Sequence, residues 1–220
     1  PSSFKYKGKE YTPKSFAESL GLDLSQYVEI GSYSHHPFYE KFIIELPDNW
    51  MMDEIYNVPL DEMMEIIDYS LDNGFTVGWG ADISEKGFSW TNGVAVVPVV
   101  DLEDMTGTER EKWEKLTQKE REKMIYSFEK PVPERVITQE LRQTAFDNYQ
   151  TTDDHGMHIT GTAKDQNGQP YYYVKNSWGV TGNDYKGFFF ASKPFVAYKT
   201  IDILVHKDGI PKEIRKKLGL

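Results

Sequence analysis

The 220-residue sequence contains no cysteine. Disulfides, thiolate metal sites and a thiol nucleophile are therefore excluded from within these residues. The redox compartment stays open, because reducing and oxidising compartments both tolerate cysteine-free chains. Positive charge is also short: 25 Lys and Arg face 35 Asp and Glu, a formal net charge of −10. Such a surface repels phosphate backbones, so nucleic acid is not an expected partner. A local basic patch at Lys212, Arg215, Lys216 and Lys217 is the one feature against that. No apolar run reaches the length of a membrane span, so no membrane partner is expected. The opening segment PSSFKYKGKEY is polar, unlike a signal peptide. A start at Pro1 rather than Met points to a processed or trimmed chain. Internal repeats and low-complexity tracts are missing too. Aromatic residues are plentiful, with 14 Tyr, 12 Phe and 5 Trp. They point to a soluble globular chain with a core that needs no staples.

Thr12-Pro13 reads as an N-cap followed by Pro at the first helical position, and Gly21 supplies a stop, so a helix is predicted near 13–20. Phe42 to Leu46 reads as a strand ended by Pro47. Leu60, Met63, Met64, Ile67 and Leu71 recur at helical spacing between Pro59 and Gly74, predicting an amphipathic helix whose methionines fill core. Residues 75–82, with Gly78 and Gly80, read as a buried strand with close backbone approach. The charged run 106–130 reads as a solvated helical face, with a capping box at Thr117 and Glu120. Thr138 caps a short helix through Phe146. Strands are predicted over 156–163, 170–176, 187–192 and 198–205, with a hairpin turn at Asn167-Gly168. Gly209-Ile210-Pro211 opens a final basic helix ending near Leu218.

Two segments carry chemistry: Asp154-His155-Gly156-Met157 and Asn176-Ser177-Trp178-Gly179. A two-residue turn at Asn167-Gly168 would set Gln166 opposite Gln169 and Asn176 opposite Ile159. Side chains alternate along a strand, so His155, Met157 and Ile159 share a face with Asn176 and Trp178. His158 points to the other face. The register alone leaves His155 and Asn176 four positions apart, and a bulge or a wider loop must close that gap. An imidazole held by an amide carbonyl is fixed in one tautomer, its other nitrogen free to act on a nucleophile. The bland alternative is a hairpin with one ordinary His and one turn Asn.

Other candidates are weaker. His35-His36 has no third metal ligand in view and reads as loop. Asp101, Glu103 and Asp104 read as an acidic surface loop. Asp165-Gln166-Asn167-Gly168 resembles the start of a calcium loop but lacks the rest. No metal and no cofactor is expected.

NSWG behind an aromatic-rich strand, with DHGM upstream, resembles the papain-like cysteine peptidases. FTVGWGADI, DHGMHITG, YYYVKNSWG and KGFFFAS follow in that family's order, with the turn from Phe88 to Val97 between the first two. YTPKSFAESL, HPFYEKFIIE, NVPLDEMMEIIDYSLDNG and the tail YKTIDILVHKDGIPKEIRKKLGL resemble its bleomycin hydrolase and aminopeptidase C branch. The resemblance implies an α+β fold: the antiparallel, β-barrel-type C-terminal half of a papain-like peptidase with helices outside. It implies one domain over 1–220, with 1–58 peripheral, 59–205 the barrel core and 206–220 a C-terminal tail. By resemblance His155 is the general base, Asn176 its orienter and Trp178 the indole covering their bond. Leu220 would place the terminal carboxylate against a substrate's α-amine.

The intact enzyme would hydrolyse peptide bonds through a Cys-His-Asn triad without a cofactor, in the cytoplasm if it follows the family. The family's cysteine lies on a helix behind an oxyanion-hole Gln, and no such segment occurs here. Gly87-Phe88-Ser89-Trp90 imitates its surroundings with Ser in place of Cys. It is set aside: Ile83 stands where the Gln should, and Gly93 to Pro98 is no helix. The chain alone is therefore expected to be inactive. Its expected partners are peptide substrates, an N-terminal half carrying the Cys, and further copies of itself. Exposure of Met157, Trp178 and Trp79 at a severed lobe interface would drive that self-association. The rival reading is a peptide-binding module that keeps the fold without the reaction.

Overall fold

The computed structural model describes residues 2–47, 49–100 and 107–220, Glu109 by its backbone alone. The acidic cluster Asp101, Glu103 and Asp104 lies outside the described residues.

A hairpin of β1 (Phe4–Tyr6) and β2 (Lys9–Tyr11) forms its own two-stranded sheet. Helix α1 (Pro13–Ser19) follows, with Thr12 and Ser15 in a reciprocal capping box. Phe16 packs edge-on against Phe4, Tyr6 and Tyr11. The main sheet starts with β3 (Tyr27–Gly31), β4 (Lys41–Ile43) and β5 (Glu54–Asn57). Helix α2 (Leu60–Asp72) buries Leu60, Met63, Ile66 and Ile67, and β6 (Val77–Ala81) comes next. The short strands β7 (Phe88–Ser89) and β8 (Val94–Ala95) precede helices α3 (Gly107–Trp113), α4 (Gln118–Ile125) and α5 (Gln139–Asp147). Thr117 and Glu120 form the expected capping box of α4, and Thr138 caps α5. The last third runs β9 (His155–Lys164), β10 (Pro170–Lys175), β11 (Phe188–Ser192), α6 (Lys193–Lys199), β12 (Thr200–His206) and α7 (Lys212–Lys217).

The ten-stranded sheet has the order β4-β5-β3-β12-β6-β9-β10-β11-β8-β7. It is antiparallel except at β3–β5 and β11–β8. The expected barrel is therefore corrected to an open sheet. Closure requires the first and last strands to pair; here β4 and β7 end the order, and no ladder joins them among the described residues. The segment 1–58 is not peripheral throughout, because β3, β4 and β5 are built into this sheet. The strand expected over 198–205 starts at Thr200, behind a helix the sequence reading passed over. Ser192 caps that helix, its Oγ accepting from the Phe195 amide at 3.1 Å, and Pro194 sits in the first turn. The apolar run after Pro194 masked these start signals.

The main core joins Met63, Ile66 and Ile67 of α2 to Val77, Trp79, Ile159, Val174 and Phe189 of the sheet. Phe195 and Val196 of α6 and Ile214 of α7 complete it. Gly78, Gly80, Gly156 and His158 lie at the alternate positions of β6 and β9, away from this core. A half-buried ledge at Glu134 ties the segment before α5 to the sheet. Its carboxylate accepts from the Val97 amide at 2.7 Å and from the Ser192 hydroxyl at 2.5 Å. Burial raises its pKa above the ordinary 4.5, against the pull of those two hydrogen bonds. A carboxyl raised in the folded state stabilises the fold while protonated and surrenders that as pH rises through the raised value. Glu134→Gln, which keeps an acceptor, is therefore expected to flatten the fall in stability from pH 4.5 upward. Urea unfolding of both proteins across pH 4–7 checks this; parallel profiles would count against it.

Candidate active site

Whether His155 meets Asn176 depends on the β9–β10 hairpin. The turn is one residue wider than the simplest form. Lys164 pairs with Pro170, the Asp165 amide donates to the Gln169 carbonyl at 3.0 Å, and Gly168 takes φ +82°. Asp165 Oδ1 pins the turn by accepting from the amides of Asn167 at 2.8 Å and Gln169 at 2.9 Å. That single extra residue alone would have put Asn176 on the wrong face. A bulge corrects it: Tyr173 pairs with Gly161 but Val174 pairs with Ile159, leaving Thr160 over. The Thr160 hydroxyl donates to the Tyr173 carbonyl across the irregularity at 3.1 Å. Two one-residue changes restore the parity and halve the four-position gap foreseen from the sequence.

His155 Nε2 and Asn176 Oδ1 are 2.8 Å apart. The same Oδ1 accepts from the Ser177 backbone amide at 2.7 Å. A backbone N–H can only donate, so the atom facing it is the carbonyl oxygen and not the amide nitrogen. His155 Nε2 must then carry the proton. Its Nδ1 is left as the basic nitrogen and has no hydrogen bond among the described residues. Asn176 is 1% exposed, and its Nδ2 has no bond there either. The backbone beneath is fixed by the Asn176 amide on the Gly187 carbonyl at 3.0 Å. Lys175 Nζ adds a bond to the Asn176 carbonyl at 2.6 Å.

The Trp178 ring centre lies 5.0 Å from that of His155, its plane tilted by 43°. Trp178 is 48% exposed: one side packs on the His155 ring and the other meets solvent. Phe88 and Trp90 support it edge-on at 6.0 and 5.5 Å. Trp90 is held by its indole N–H on the Thr181 carbonyl at 3.1 Å and by Asn183 Nδ2 on its own carbonyl at 2.9 Å. These supports were missed in the sequence because GFSW drew attention only to its serine. Ser89 Oγ accepts from Asn92 Nδ2 at 2.8 Å, and no described bond joins it to His155. Gly87 is required where it stands, since a Cβ there would lie 2.0 Å from the Val96 carbonyl oxygen.

His158 is directed away, its Nε2 2.7 Å from the Thr76 hydroxyl. Leu220 packs against the main core, and its amide donates to the Arg215 carbonyl at 3.1 Å. No described contact brings it to His155. Of the three residues expected on an exposed apolar face, only Trp178 is open. Trp79 is 2% exposed and Met157 8%. They are cross-strand partners in the middle of the sheet, with the Trp79 N–H satisfied by Thr200 Oγ1 at 2.7 Å. His35 lies 2.8 Å from Gln143 Nε2 and stacks with Phe146, while His36 stacks on Phe42. No cluster of metal-ligating side chains occurs among the described residues.

Residues 121–219 match the Peptidase C1-like family. Aminopeptidase C of Streptococcus thermophilus is 26% identical over 217 residues, covering 93% of this chain and 41% of that protein. Aminopeptidase C of Lactococcus lactis subsp. cremoris is 24% identical, covering 96% and 44%. Over most of its length the chain is similar to aminopeptidase C, and over its second half to the Peptidase C1-like family. The crystal structure of PepW from Lactobacillus rhamnosis HN001 aligns over 100% of this chain and 46% of its own, with TM-score 0.65 at 17% identity. The fold is thus papain-like and α+β. The chain spans less than half the length of the curated relatives it matches.

Tautomer is the measurable consequence of the site. Long-range proton–nitrogen correlation spectra of the neutral imidazole are expected to show His155 protonated on Nε2 alone. Asn176→Ala should release it into a mixture of both tautomers. A mixture already present in the wild type would contradict the assigned bond.

Proposed function

We propose that this chain is the base-and-orienter part of a cysteine-type aminopeptidase of the bleomycin hydrolase kind. The thiol must come from polypeptide outside these 220 residues. The observation that carries the reading is the His155 Nε2–H···Asn176 Oδ1 bond under Trp178, which leaves Nδ1 as the only basic nitrogen of the ring.

The chemistry follows from that proton position. A thiol brought against Nδ1 gives up its proton there, forming a thiolate–imidazolium pair. The thiolate attacks the scissile carbonyl carbon, and a tetrahedral intermediate forms. The imidazolium then returns the proton from Nδ1 to the departing amine, and the acyl-enzyme remains. Water attacks that thioester as it gives a proton to Nδ1, the C–S bond breaks, and the carboxylic acid product leaves with the thiolate–imidazolium pair restored. Throughout, Asn176 holds the ring by its Nε2–H, so the proton moves on one nitrogen only. Trp178 keeps water from competing for that hydrogen bond. Leu220, packed on the core, lends no support to amine recognition by a terminal carboxylate, so exopeptidase specificity rests on kinship alone. The open side of Trp178 suits a wall supplied by the thiol-bearing polypeptide, and assembly of several copies remains part of the proposal.

A second reading, a non-catalytic peptide binder, is favoured by the absence of cysteine from these residues. The two separate in one experiment. Alone, the chain is expected to give no turnover of aminoacyl fluorogenic substrates. Combined with a polypeptide carrying the Gln-x5-Cys helix, it should give turnover that His155→Ala lowers by about 10³-fold or more in kcat. Peptide binding without turnover in the combined protein would favour the binder. Turnover by the chain alone, abolished by Ser89→Ala, would overturn the assignment and make Ser89 the nucleophile.

A further inference from the structure

The strand carrying His155 is entered through residues 150–154, and these are stitched down at every second position. The Gln150 carbonyl accepts from Lys199 Nζ. The Thr152 amide donates to Asp82 Oδ2 at 3.1 Å. Asp154 reaches the opposite way, accepting from the Ile83 amide at 3.1 Å and the Ser84 hydroxyl at 2.6 Å. The receiving wall is the end of β6, where Ala81 is the cross-strand partner of His155 itself. Lys199 sits at the centre. It is 2% exposed, lies 3.4 Å from Asp82 Oδ2, and also pairs with Glu85. Its backbone takes part as well, its carbonyl accepting from the Asp82 amide at 3.0 Å.

We propose that Lys199 is a positioning residue for His155. It neutralises the buried Asp82 and clasps Gln150, so that the entry to β9 has one conformation and the imidazole one place. The role rests on the reading of His155 as the general base, but the clasp itself is a property of this chain alone. Lys199 is too deeply buried to touch a peptide. A buried ammonium between two carboxylates is justified energetically only if each charge is met by a partner. Here each partner belongs to a different segment: the end of β6, the loop behind it, and the entry to β9. Lys199 therefore converts three separate segments into one fixed support. A hydrophobic residue would fill the space without joining them.

The test needs no turnover, so failure of the peptidase reading would leave it intact. The ring proton of His155 on Asn176 and the indole proton of Trp79 on Thr200 are followed in one spectrum, and their exchange with water is measured by saturation transfer. Lys199→Met is compared with wild type. Lys199→Met combined with Asp82→Asn is the second variant, which removes the stranded carboxylate and so protects the fold. In whichever variant folds, the His155 proton is expected to exchange at least tenfold faster, with Trp79 changed less than threefold. An unchanged His155 proton would overturn the proposal. So would equal acceleration of both protons, or failure of both variants to fold, since either makes Lys199 a plain stabilising cation.

Discussion

The side-chain alternation of β9 against β10 governs the site. A strand offers each residue to one face only, and a slip of one position exchanges every residue with the other face. The turn that joins these strands carries one residue more than the simplest hairpin, which would have sent Asn176 to the side of His158. Thr160 takes up the difference as a bulge. Everything downstream depends on that compensation: the shared face of His155 and Asn176, the bond between them, and the seat of Trp178 above it. A bulge also bends its strand and increases local twist. Together with the wider turn, the shift in register sets Asn176 two positions nearer His155.

Much of this was legible in the residues, for a physical reason that can be named. Caps and turns act locally, so Thr12, Thr117, Thr138 and the helix after Pro211 were readable from a few neighbours. Parity is likewise local along each strand, and it separated His155 from His158 correctly. The exact register was not legible. It is decided by the energetics of the widened turn and a bulge, where Asp165 and Thr160 contribute bonds that no periodicity encodes. Trp79 and Met157 were misplaced for a related reason. Sequence places them beside His155, but burial depends on where a pair stands across the sheet, and theirs is at its centre. The open architecture was missed because β3 and β5 are short and carry weak patterns; only their pairing with β12 and β4 makes them part of the sheet.

The two chemical requirements of the site are met by different materials. Orientation of the imidazole comes from a buried amide whose oxygen has two donors and whose nitrogen has no described partner. Leaving a buried N–H unpaired has a cost of about 1–3 kcal/mol, yet turning the amide over would be worse. It would set an NH2 against the Ser177 amide, breaking that bond, and would force His155 into the other tautomer. The arrangement is therefore self-locking: Ser177 fixes Asn176, Asn176 fixes the His155 tautomer, and the tautomer fixes which nitrogen is basic. Orientation thus needs no charge, and this keeps Nδ1 available to respond to whatever group is brought to it.

Trp178 marks the boundary between what the chain completes and what it leaves open. Its inner face is packed by Phe88, Trp90 and His155, and Trp90 is itself held by Asn183 and Thr181. Its outer face meets water. A large indole half in solvent is an expensive way to shield one hydrogen bond if nothing further is to cover it. Beside it Nδ1 is likewise without a partner among the described residues. Both open features belong to the end of the sheet where β6 finishes and β9 begins, at the pair Ala81 and His155. A base poised on one side and a bare aromatic wall next to it describe half of a cleft. Under the proposed function, the thiol-bearing polypeptide would bring an acidic proton to Nδ1 and apolar surface to Trp178.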